Sequence, residues 1–131
     1  MKNKPGTSFV PMLAISSGIT DIEFYKKGFG AVELRRWSND DGSVHVAELE
    51  IDGAMFHLHE ENPDKGQYSP LRHNGVSTTI GLMVADVDSV MARAVSAGAQ
   101  EISPAQDYEY GYRQGEIKDL FGHRWIIEMM I

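Results

Sequence analysis

Phe29-Gly30-Ala31-Val32-Glu33 and Ala97-Gly98-Ala99-Gln100-Glu101 stand 68 positions apart, each at the same point after a stretch that reads as a helix. At the same offset Glu48-Leu49 falls on Glu116-Ile117, and one inserted residue later Phe56-His57-Leu58-His59 falls on Trp125-Ile126-Ile127-Glu128. Repetition at a fixed period marks one supersecondary unit used twice. A strand-helix-three-strand unit cannot close its sheet alone, so the two copies should pair and curl around a shared cavity.

Local signals give each unit its content. Phe9 to Ser16 is a short apolar stretch that reads as a buried strand. Thr20 and Glu23 form a capping-box pattern that opens a helix through Phe24, Tyr25 and Lys27, and Gly28 and Gly30 stop it. Ala31 to Trp37 is a strand, Asn39 to Gly42 a hairpin turn, Val44 to Ile51 an alternating strand, and Ala54 to His59 a further strand after the Asp52-Gly53 turn. Glu61 to Gly75 is polar, carries Pro63, Gly66 and Pro70, and reads as a loop. The pattern then restarts with a strand over Ser77 to Val84 and an N-cap at Asp86. Val87, Val90, Met91, Ala94 and Val95 form one apolar helix face, closed by Gly98. Strands over Gln100 to Ser103, Arg113 to Lys118 and Arg124 to Met130 complete it. The expected organisation is one domain over 1–131, with a first module over about 7–60, a linker over 61–76 and a second module over about 77–131.

Composition narrows the function. At 131 residues, 42% hydrophobic and 24% charged, the chain has the size and make-up of one soluble domain. Its net charge of −7 argues against a nucleic-acid or anionic-membrane surface. With no cysteine there is no disulfide, thiolate zinc site or cysteine nucleophile, which fits a reducing compartment. Lys2 and Lys4 precede the apolar run Phe9 to Ile15, but that run is short, interrupted by Pro11 and without a convincing cleavage site. A soluble, unexported, cytoplasmic protein is expected.

Several stretches resemble the vicinal oxygen chelate superfamily (glyoxalase, bleomycin resistance protein and extradiol dioxygenase). Phe24-Tyr25-Lys26-Lys27-Gly28-Phe29-Gly30-Ala31 resembles its first-helix signature. Asp119-Leu120-Phe121-Gly122-His123-Arg124-Trp125 resembles its turn before the last strand, with Leu120 where the family has proline. Val84 to Asp88 and Ala92 to Ala99 resemble the second helix, and Tyr110-Gly111-Tyr112-Arg113 a segment of the bleomycin-resistance-like and PhnB-like branches. The resemblance covers nearly the whole chain. It implies an α+β fold of two tandem βαβββ modules forming a curved mixed sheet around a cavity, and a homodimer with clefts across subunits. It does not fix an activity, because the fold hosts lyases, isomerases, dioxygenases, thiol transferases and drug-binding proteins.

Metal-dependent members place His, Glu or Gln at four strand positions, which the resemblance carries onto Val10, His57, Thr79 and Ile126. One imidazole does not hold a metal, and the others offer no donor or a poor one. No cofactor is therefore expected; a partial divalent-metal site at His57 and Glu128 is the alternative. His57 and His59 lie on one strand face, where they either chelate or merely line a cavity. Tyr108, Tyr110 and Tyr112 sit at every second position and should point the same way. With Trp37, Trp125 and Phe56 they could line a small-molecule pocket, although Trp125 and Phe56 read better as core. Arg113 either holds loops or pairs with an anionic ligand. His45, His73 and His123 read as solvent-facing. Glu48, Glu50, Glu116 and Glu128 lie on strands, and any that points into a cavity should have a raised pKa.

The pocket residues expected are thus His57, His59, Thr79, Trp37, Tyr110, Tyr112, Arg113 and Glu128. The function expected is metal-free binding of a small drug or metabolite, as in antibiotic resistance. The alternative is a metal-dependent lyase, isomerase or dioxygenase.

Overall fold

A computed structural model describes residues 6–131. Lys2 and Lys4, used in the N-terminal reading above, lie outside the described residues.

The chain runs β1 (Met12–Ile15), α1 (Phe24–Phe29), β2 (Val32–Ser38), β3 (Val44–Ile51) and β4 (Ala54–Glu60). A 3₁₀ turn (Pro63–Lys65) and the short α2 (Pro70–His73) follow, then β5 (Thr79–Met83), α3 (Val87–Ser96), β6 (Gln100–Tyr108), β7 (Tyr112–Lys118) and β8 (Arg124–Met130). The strands form two four-stranded sheets, ordered β1-β4-β3-β2 and β5-β8-β7-β6. In each sheet the first strand runs parallel to the last and the other pairs are antiparallel. The sequence repeat is therefore a structural repeat, and the α+β class holds.

Turn chemistry sets the registers. Asp52 (φ 53°) and Gly53 (φ 88°) both lie in the left-handed region, which a two-residue hairpin needs to match strand twist. Asp86 caps α3 by accepting from Ser89 N at 3.1 Å. The helix α1 begins differently from expectation. Thr20 and Glu23 make no capping box; Asp21 Oδ1 accepts from Glu23 N at 2.9 Å instead, because an aspartate two residues back reaches that amide directly. Gly28 lies inside α1 rather than ending it, since its missing Cβ lets the helix approach Ala94 of α3. Gly30 (φ 69°) ends it.

Alternation divides each strand between two faces. Leu13, Ile15, Ala47, Leu49, Phe56 and Leu58 of the first sheet, with Ile117, Trp125 and Ile127 of the second, join the helices in one core. Tyr25 is its centre, with its ring within about 6 Å of those of Phe24, Phe29, Phe56, Phe121 and Trp125. Each such fully buried side chain contributes roughly 1.5–3 kcal/mol. Asp119 locks the modules together at this point. It accepts from Tyr25 Oη at 2.6 Å and Trp125 Nε1 at 2.9 Å through Oδ2, and from Phe121 N and His123 N through Oδ1. His123, expected at the surface, is buried and its Nε2 lies 2.7 Å from Ala14 O of the other module.

No barrel closes. The room between the halves takes the form of two open clefts along the seam, of about 590 and 480 Å³. No helix among the described residues is long and apolar enough to cross a membrane.

Candidate functional site

The residues that alternate with the core form an outer face on each sheet. On the first sheet His57 pairs in register with Glu48 and Met12, and His59 with Val46 and Ala14. Phe56 and Leu58 are buried, so both histidines stand on the outer face, with their rings 5.9 Å apart. His57 Nε2 lies 3.4 Å from Glu48 Oε2 and 3.4 Å from Met55 Sδ. The Nε2 of His59 is buried without a hydrogen-bond partner among the described residues. Burial, and then the neighbouring His57 and His45, hold His59 below its ordinary pKa, so it is neutral at neutral pH. Arg35 donates to Glu48 at 2.6 Å, and its guanidinium lies 4.9 Å from the exposed Trp37 ring. Glu48 was expected to titrate high if it faced a cavity. The Arg35 hydrogen bond lowers its pKa instead, outweighing desolvation.

On the second sheet Gln106, Tyr108, Tyr112, Gln114 and Glu128 share the outer face through the pairs Gln106↔Gln114, Tyr108↔Tyr112 and Gln114↔Glu128. The rings of Tyr108 and Tyr110 stack at 5.3 Å with 16° between planes, and Tyr112 follows at 6.0 Å from Tyr110. Tyr110 Oη donates to Gln114 Oε1, Gln114 Nε2 donates to Glu128 Oε1 at 2.7 Å, and Gln106 Nε2 donates to Tyr108 Oη at 2.8 Å. Gly81 of β5 leaves the space the Glu128 carboxylate uses, for a Cβ there would sit 2.7 Å from Oε2. Thr79 is exposed at the start of β5, opposite Arg124. Arg124 is itself paired with Glu116 at 2.5 Å. A small hollow of about 60 Å³ is lined by Ser103, Tyr108, Gln114, Glu116 and Ile126.

Arg113 does not join this face. It lies between Tyr112 and Gln114 in the alternation and turns to the helix side. There it grips both carboxylate oxygens of Asp88 at 2.8 and 3.1 Å and Asp107 at 3.0 Å, which raises its pKa further. Trp125 and Phe56 are core. The seam clefts are lined by other residues: the larger by Met12, Tyr68, His73, Thr78 and His123 among others, the smaller by Phe9, Met55, Gly81, Leu82 and Trp125 among others. Gln106 and Gln114, which orient the tyrosines and Glu128, went unnoticed in the sequence. The tyrosines' own period of two pointed to Gln106 and Gln114 as residues of the same face.

The family model of the Glyoxalase/Bleomycin resistance protein/Dioxygenase superfamily matches residues 20–127. The chain belongs to this superfamily. An uncharacterized protein of Mycobacterium bovis is 36% identical over 118 residues, covering 88% of this chain and 78% of that protein. The solved structure of TioX from Micromonospora sp. ML1 superimposes with a TM-score of 0.68 at 25% identity, over 95% of this chain and 97% of that one. An Arabidopsis thaliana gene product superimposes with a TM-score of 0.69 at 28% identity, over 94% and 98% of the two chains.

Metal-dependent members of the superfamily would use Val10, His57, Thr79 and Ile126, and these do not fit a metal. Val10 and Ile126 lack a donor atom, and His57 contributes a single imidazole already beside Glu48. No three His, Asp or Glu side chains converge among the described residues, so His57 and Glu128 lack the further donors a metal needs.

Proposed function

We propose that this protein is a metal-free small-molecule binding protein of the bleomycin-resistance-like or PhnB-like branch, which sequesters a partly aromatic drug or metabolite. The observation that carries this reading is the outer face of the second sheet. Three tyrosines, Tyr108 stacked on Tyr110 and Tyr112 tilted against it, stand beside hydrogen-bonded Gln114 and Glu128. Rigid rings with a few placed polar groups make up a typical small-molecule site, because the rings supply area at little entropic cost and the polar tips fix orientation. The outer face of the first sheet adds Trp37, His57 and His59.

A homodimer is part of the proposal. Met12, Trp37, Met55, Met83 and Met130 are exposed, and β1 and β5 each have a strand neighbour on one side alone among the described residues. These two edges line the seam within one chain, so a second copy would instead seat on the exposed apolar side chains, covering them and walling the open faces into clefts.

The test is a thermal-shift screen of planar aromatic compounds, run beside zinc, nickel, iron and manganese salts. A binding protein is stabilised by several degrees by some aromatic compounds and by none of the metals. A stoichiometric metal with a stabilising shift that vanishes in His57→Ala would replace this reading with an enzyme.

A further inference from the structure

Outward-facing carboxylates on the two sheets are treated unequally. Glu48 is neutralised by Arg35 and touched by His57, and Glu116 by Arg124. Glu128 has no cationic partner among the described residues; its one hydrogen bond comes from the neutral amide of Gln114. Glu50 shares that lack of a cation, but it stands between Val32 and Met55, away from the tyrosines.

The surroundings of Glu128 are ordered rather than incidental. Tyr110 Oη, by donating to the Gln114 carbonyl, fixes which way that amide points, and so turns its NH₂ toward Glu128 Oε1. Oε2 is left over the bare backbone of Gly81 with no hydrogen bond among the described residues. The phenol oxygens of Tyr108 and Tyr110 are engaged by Gln106 and Gln114, which sets the ring planes while Tyr110 keeps 63% of its surface open. Arg113, next to Tyr112 in sequence, is held on the far side of the sheet by Asp88 and Asp107. Arg124, on the same face, is taken up by Glu116, so Glu128 stands beside the aromatic rings with no cationic partner among the described residues.

We propose that this face binds an organic cation, a protonated or quaternary ammonium. Glu128 serves as counter-ion, and Tyr108, Tyr110 and Tyr112 meet the alkyl groups around the nitrogen. The negative π faces of the rings attract a diffuse cation, and a carboxylate beside them adds the charge term. A hard metal ion needs several oxygen donors, and here the Gln114 carbonyl is already taken by Tyr110. The net charge of −7 favours approach of a cation. This inference rests on the reading of the face as a ligand site and adds the ligand's charge.

The test is titration of the whole protein with choline and with its uncharged isostere 3,3-dimethylbutan-1-ol, followed by NMR of the tyrosine side chains and by calorimetry. Choline should move the Tyr108, Tyr110 and Tyr112 resonances, weaken with added salt, and bind at least tenfold more tightly than the alcohol. Glu128→Gln, which keeps the shape and removes the charge, should lose most of that preference, and Tyr110→Leu should weaken choline binding by a separate route. Equal binding of alcohol and choline, or unchanged choline affinity in Glu128→Gln, overturns the inference and leaves the binding function standing. Unmoved tyrosine resonances under choline also overturn it. The aromatic-compound screen then judges the broader function alone.

Discussion

Glu61 shows how much one side chain can hold. Its carboxylate, almost covered, takes two hydrogen bonds from Arg72 at 2.9 and 2.7 Å and one from Ser69 N at 3.0 Å. These bonds, Arg72's first, draw its pKa down to about 2. A carboxylate with a lowered folded pKa stabilises the protein above its unfolded value near 4.3, and that contribution fades as pH falls toward the folded value. Glu61→Gln should therefore be less stable than the wild type at pH 7, and the gap should close as pH falls from about 4.5 to about 2. Urea unfolding across that range reads it, and a constant gap would refute the pairing. Asp119 is the second such residue, with four donors converging on one buried carboxylate. Burial, reinforced by Asp119, lifts the Tyr25 phenol well above its ordinary pKa, so it remains a donor at any ordinary pH. Asp119→Ala strands all four donors and should cost about 3–5 kcal/mol. Tyr25→Phe removes one bond and should cost about 1–2 kcal/mol. Equal costs by denaturant unfolding would mean the carboxylate is not the hub.

At the scale of elements, the linker behaves as part of the fold and not as the loop its composition suggests. Ser69 is fully buried, accepts from Ser16 Oγ at 3.1 Å and caps α2. The turn at Gly122 receives it: Gly122 has φ 91°, and a Cβ there would sit 2.9 Å from Pro70 Cβ and 3.1 Å from Leu71. Gly122→Ala should cost about 2–3 kcal/mol, through the left-handed backbone and the clash together. It should also raise proteolysis within 61–76; an unchanged cleavage rate would mean the linker does not depend on this seat. The same stretch shows where sequence reading fails. Prolines and glycines mark a break in periodicity, yet whether the broken stretch docks depends on partners such as Ser16 and Gly122, far away in sequence. The strand expected over Gln100 to Ser103 falls short in the same way. Register shifts between Glu101 and Gln106 take Pro104 into β6, and the strand runs on to Tyr108. Elements whose signals are local, such as α3 behind Asp86 and the Asp52-Gly53 hairpin, were legible.

For the whole molecule, the repeat announced both sheets because each copy buries the same alternate positions. Period two grouped Tyr108, Tyr110 and Tyr112, but their rings meet because Tyr108 and Tyr112 pair across a hairpin whose turn holds Tyr110, and Arg113, expected beside them, lies on the other face with Asp88. The repeat could not tell a cavity from a packed seam, because that depends on how Tyr25, Phe56 and Trp125 fill the space between the sheets. What lies against the outer faces is decided between molecules. If a second copy docks on the exposed apolar side chains, light scattering at micromolar concentration should give twice 14.6 kDa. Met83, exposed on β5, is the residue to charge. Met83→Lys should yield the single-chain mass while keeping the near-ultraviolet signal of the core around Trp125. A ligand held between copies binds the dimer in preference to the separated chains, so adding it should lower the concentration at which the dimer forms. A single-chain mass in the wild type would confine the binding site to one chain. A dimer whose dissociation ignores the ligand would place the site wholly on one subunit's face.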